Sequence, residues 1–83
     1  MSAQRPSRRQ RQVLLVLREL GTAASERTVA RKGAALGYWT SAPRLHVDLY
    51  VAVLEGWATR EGAPGTYAYT ITSEGIAALE AGR

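Results

Sequence analysis

The sequence predicts a single α+β domain of three helices, a two-stranded β-hairpin and a short closing helix. Three observations carry this. Apolar residues recur at helical spacing up to Glu55, the spacing changes to a strand-like alternation after Gly56, and glycines stand at the joints between segments. At 83 residues the chain is shorter than a typical domain of about 100 to 150 residues, so a single core is the limit. Hydrophobic residues make up 46% of it, but 14 are Ala and none is Phe. So thin a core is expected to be supplemented by a second subunit, as a homodimer.

The first helix is expected over residues 8 to 20, where Val13, Val16, Leu17 and Leu20 share one stripe. Ser7 and Gln10 have the spacing of a capping box, Pro6 blocks an earlier start, and Gly21 supplies the stop. Leu14 and Leu15 lie off the stripe and offer a second apolar contact, within the fold or between subunits. A second helix is expected from Ser25 to about Leu36, with Val29, Gly33 and Leu36 on one side and Gly37 as terminator. Gly33, which costs about 1 kcal/mol relative to Ala in a helix interior, implies the close approach of a neighbouring helix. The third helix is expected from about Ala42 to Glu55, N-capped by Thr40 or Ser41 with Pro43 in its first turn. Leu45, Leu49, Ala52 and Val53 form its inward stripe, and Val47, Tyr50 and Leu54 a second apolar flank. Such a helix must be packed on two sides. Residues 57–61 and 67–71, rich in Trp, Thr, Tyr and Ile, flank a loop with Gly62, Pro64 and Gly65 and read as a hairpin. Thr72 or Ser73 then caps a last helix carrying Ile76 and Leu79.

Three helices followed by a hairpin is the order of a winged helix, in which helices two and three form a helix-turn-helix and the hairpin is the wing. Residues 1–7 would be a basic arm and 8–83 the winged-helix domain. Leu54-Glu55-Gly56-Trp57 and Tyr69 to Leu79 resemble the wing and following helix of PadR-like and MarR-like transcriptional regulators. The pattern there is Leu-Glu-x-x-Gly, a divergent hairpin, then Tyr-x-Leu-Thr-x-x-Gly-x-x-x-Leu. Tyr69, Ile71, Thr72, Gly75 and Leu79 fill its second part with Ile for Leu, whereas Gly56 follows Glu55 directly in the first. The resemblance implies a DNA-binding winged helix equivalent to the N-terminal half of a PadR-like protein, whose remainder is a dimerisation helix or domain. The residues themselves explain the motif: Tyr69 and Ile71 share a strand face, Thr72 caps, Gly75 admits a close chain passage, and Leu79 closes the core.

The net charge is +4, and residues 1–12 hold Arg5, Arg8, Arg9 and Arg11 without an acid, against seven bases and seven acids in residues 13–83. Such a block reads as a contact for nucleic acid or another polyanion, with a solvated end as the alternative. Three of these arginines fall early in the first helix, where the macrodipole disfavours each by about 0.3 to 1 kcal/mol. A passing anion would offset that cost, as would solvent screening. Phosphate contacts are expected from Arg5, Arg8, Arg9 and Arg11, from Arg27, Arg31 and Lys32 on the second helix, and from Arg60 on the wing. Base reading is expected from Thr40, Ser41, Arg44 and Asp48 on the third. Arg44 suits bidentate reading of guanine, while Asp48 accepts from cytosine or pairs with Arg44. The expected function is sequence-specific binding of double-stranded DNA by a transcriptional regulator. The competing reading is a winged helix used for protein contact or assembly, such as a phage or host-regulation module, through Val47, Tyr50, Val51 and Leu54 or through Leu14 and Leu15.

No enzyme, metal site or cofactor is expected. The single His46 and single Asp48 lie two apart on a helix and cannot face each other, Gly62 to Gly65 lacks the Lys of a phosphate loop, and zero Cys removes thiolate and Cys-zinc chemistry. His46 reads as a buried or half-buried structural residue near Val53, and Trp39, Trp57 and Tyr50 as core. No apolar run approaches the roughly 20 residues of a membrane span, and Val13 to Leu17 is too short for a signal peptide. A cytoplasmic protein, on the nucleoid when bound to DNA, is therefore expected.

Overall fold

In the computed structural model, which describes residues 5–81, α1 (Arg8–Leu20) begins and ends at its expected caps. The Ser7 side chain accepts from the Gln10 amide at 3.2 Å, the Gln10 side chain accepts from the Ser7 amide at 2.7 Å, and Gly21 adopts a left-handed φ of 68°. Of the basic arm expected over residues 1–7, positions 1–4 lie outside the described residues. Val13, Val16 and Leu17 are buried, and so is Leu14, while Leu15 packs against the core from a half-buried position. The contact offered by Leu14 and Leu15 is thus made within the fold.

A short strand, β1 (Ala24–Ser25), precedes α2 (Glu26–Ala35), and Ser25 accepts from the Thr28 amide as its N-cap. β1 was absent from the sequence expectation because two residues carry no alternation; it forms where β3 offers an antiparallel edge, pairing Ala24 with Tyr69 and Ser25 with Ala68. α2 closes in a Schellman motif, with the Gly37 amide donating to Ala34 and the Tyr38 amide to Gly33. Leu36, expected on the packed side, caps that end in an exposed position. Gly33 is needed for an aromatic ring and not for a helix: a Cβ there would fall inside the indole of Trp39, whose Nε1 donates to the Ala30 carbonyl at 3.0 Å.

α3 (Leu45–Leu54) starts three residues later than the expected Ala42 and stops one short of Glu55. A turn around Pro43 satisfies the Leu45 amide on the Ala42 carbonyl, so Arg44 becomes the N-cap position and neither Thr40 nor Ser41 caps the helix. A second Schellman motif, from Gly56 to Val53 and from Trp57 to Ala52, turns the chain into β2 (Ala58–Glu61). β2 pairs antiparallel with β3 (Ala68–Ile71), giving a sheet ordered β1-β3-β2. Thr72 then joins the sheet to α4 (Ser73–Ala81): its hydroxyl donates to the Gly56 carbonyl at 2.6 Å and accepts from the Gly75 amide at 3.0 Å. Gly75 lies so close to the Trp57 carbonyl that no side chain fits, as the close passage required. The result is the expected α+β architecture with four helices and one additional strand.

The packing of Gly33 against Trp39 has a measurable consequence. In an open helix Gly→Ala would stabilise by up to about 1 kcal/mol, whereas Gly33→Ala here should destabilise by about 1 to 3 kcal/mol through overpacking. Urea unfolding followed by indole emission should show both the reduced stability and a red shift of the native spectrum.

Candidate nucleic-acid interface

α3 is apolar nearly all round, so its own pattern does not select a buried face. Packing against α1 and β2 does: Leu45, Leu49 and Ala52 are buried, leaving His46, Val47, Tyr50 and Leu54 on the exposed side. Val47, Tyr50 and Leu54 retain 37%, 48% and 65% of their surface in contact with solvent, too much for the second packed flank that was expected. His46 and Tyr50 are correspondingly not core residues. The expectation holds for Trp57, which is buried, and for half-buried Trp39.

The expected base-reading residues divide into three situations. Thr40 and Ser41 are exposed in the connection before α3 and do not lie on the helix. Arg44 is exposed at the N-terminal end of α3, and among the described residues its side chain makes no hydrogen bond or ion pair. Asp48 is turned inward, its Oδ2 meeting Arg9 Nε at 3.1 Å in a partly buried ion pair. Its partner is therefore a residue of α1 and not Arg44. The Arg9 guanidinium also lies 5.3 Å from the centroid of Trp39, so one side chain ties α1 to both α3 and the turn that leads into it.

The expected phosphate contacts are similarly divided. Arg5, Arg8, Arg27 and Arg31 are exposed, and Lys32 is half-buried. Arg11 donates from Nη1 to the Leu79 carbonyl at 3.1 Å, satisfying an end carbonyl of α4. Arg60 projects from β2 onto the face shared with α3, stacked 4.2 Å from the Tyr67 ring centroid and 5.7 Å from that of Tyr50. Tyr69, opposite Arg60 across the β2–β3 pair, is buried, and that burial pushes its hydroxyl above the usual tyrosine range despite the nearby guanidinium. This Tyr50–Arg60–Tyr67 stack was not anticipated. Its only sequence signal is the alternation that puts Tyr67, Tyr69 and Ile71 on one strand face. An open groove of about 480 Å³ runs beside it, between the start of α2 and the hairpin loop. Among the described residues no group of three or more His, Cys, Asp or Glu is arranged to hold a metal, and no helix is long and apolar enough to cross a membrane.

No family model matches the chain, and no curated protein matches it significantly. Among solved structures, a chain of the hsRosR-S1 complex superposes with a TM-score of 0.73 at 24% identity, over 92% of the present chain and 68% of the other. The fold is a winged helix. In it α2 and α3 form the helix-turn-helix, β2 and β3 the wing, and the exposed side of α3 lies beside Arg60 of that wing.

The partly buried pair at the first turn of α3 has a pH signature. Burial raises the Asp48 carboxyl above the usual carboxylate range, outweighing in turn the attraction of Arg9, Arg44 and His46. The folded state thus binds this proton more readily than the unfolded chain, so stability from this group rises as pH falls through the folded value and is fully gained below the unfolded one. Thermal melting from neutral pH downward should show the native chain gaining on Asp48→Asn across that window. A difference between the two that does not change with pH would mean that burial does not penalise the charge.

Proposed function

We propose that this winged helix is a DNA-binding transcriptional regulator that places α3 in the major groove. The observation that carries the reading is Arg44, exposed at the leading end of α3 with a guanidinium that makes no hydrogen bond or ion pair among the described residues. Recognition helices of this class contact base edges with their N-terminal residues, and Arg is the residue best matched to guanine O6 and N7. Thr40 and Ser41, just ahead of the helix, lie where a backbone or base edge would pass. Asp48 acts by positioning α3 through Arg9. Arg5, Arg8, Arg27 and Arg31 supply phosphate contacts, Arg9 and Arg11 contribute only the donors their internal contacts leave, and Lys32 and Arg60 extend the basic rim. The PadR-like or MarR-like affiliation rests on the Tyr69-to-Leu79 motif. A basic arm over residues 1–7, a homodimer and a place on the nucleoid complete the proposal. The exposure of Val47, Tyr50 and Leu54 favours a second reading, a protein-contact module built on the same face.

Two measurements separate these readings. Replacing Arg5 and Arg8 should weaken binding to all duplexes alike and flatten the salt slope by about 0.9 for each phosphate no longer neutralised. Arg44→Ala should instead cost about 1 to 3 kcal/mol on the preferred site and little on random duplex. No duplex binding at low salt would leave the protein-contact reading. The subunit state is read by sedimentation at micromolar concentration, where a dimer is expected and a strict monomer would remove that element of the proposal.

A further inference from the structure

Resting on the DNA-binding reading, we infer that α3 recognises thymine methyl groups beside the guanine read by Arg44. After Arg44 the outward residues of α3 are His46, Val47, Tyr50 and Leu54, and the one carboxylate within Leu45–Leu54 is withdrawn into its pair with Arg9. Beyond Arg44 only His46 and Tyr50 carry hydrogen-bonding groups on this side, and Val47, Leu54 and the ring of Tyr50 make the rest of the surface that meets the base edges apolar. Among the four bases only thymine presents an apolar group, its C5 methyl, in the major groove.

The surroundings of this face fix its occupant. Arg44 stands at its head, Arg60 flanks Tyr50 from the wing, and the chain carries a net charge of +4. An apolar strip framed by guanidinium groups complements a groove that is apolar at its methyls and anionic along its walls. Val47 lies three residues, or about 4.5 Å of helix rise, beyond Arg44, which is one to two base-pair steps of about 3.4 Å. The thymine should thus lie within two base pairs of the guanine. Tyr50, held against Arg60, meets the next position along.

The test uses the full chain and a site selected from a randomised duplex pool. That site is resynthesised with uracil replacing thymine at one position at a time, which removes a methyl and leaves every hydrogen-bonding group in place. At one or two positions within two base pairs of the Arg44-dependent guanine, uracil should weaken binding about fourfold, the effect of one methyl-sized apolar group. Val47→Ser, an exposed substitution, should bind the thymine and uracil duplexes alike while retaining its preference for the guanine. Equal affinity of the native chain for thymine and uracil at every position overturns the inference while leaving DNA binding intact. If no duplex is selected even at low salt, the DNA reading fails and the inference with it. A dimer that Leu54→Ser dissociates would then assign the face to a second copy of the chain.

Discussion

Helix α1 is the constraint on which the rest of the structure depends. The chain has no Phe and 14 Ala, so few side chains are large enough to fill a core. Of the seven largest fully buried side chains, Val13, Leu14, Val16 and Leu17 all belong to α1. They cover more than one face of the helix, and α2, α3, α4 and β3 each pack against it. Truncating one buried Leu to Ala typically costs about 2 to 5 kcal/mol, so the placement of every other element is tied to this helix. The start of α1 reinforces the tie, since Arg9 reaches α3 and Trp39 while Arg11 reaches the end of α4.

That arrangement divides the arginines between two tasks. Arg9 is engaged by its ion pair with Asp48 and its contact with the Trp39 ring, Arg11 by a hydrogen bond to α4, and Arg60 by the rings of Tyr67 and Tyr50. Arg5, Arg8, Arg27, Arg31 and Arg44 remain exposed. A guanidinium suits both tasks because it stacks on aromatic rings and still presents donors at its edge. The inward task also explains why Asp48 is tolerated on a helix proposed to enter an anionic groove: its carboxyl is turned toward Arg9 and does not face outward.

The wing is set against α3 by backbone and aromatic contacts together. Thr72 bonds back to Gly56, Gly75 passes under the Trp57 carbonyl, and Arg60 bridges Tyr67 and Tyr50. These contacts connect α3, and the turn that follows it, to the sheet and to α4.

What the sequence determined by itself is the local structure: the Ser7–Gln10 capping box, the glycine stops, the change of period at Gly56 and the Thr72 cap all act within a few residues and appear as expected. The winged-helix order follows from them, because caps and periodicity are short-range properties. Tertiary structure decided the remainder. β1 exists only because β3 offers it an edge. The start of α3 moved to Leu45 because the turn at Pro43 satisfied its first amide. The outward face of α3 is illegible in the sequence because a helix apolar on all sides has no periodic signal, and only its packing against α1 and β2 selects which residues are buried. For the same reason Asp48 found Arg9, distant in sequence, and not Arg44 one turn away: the partner of a charged side chain is set by which elements pack together, and spacing along one helix cannot specify that.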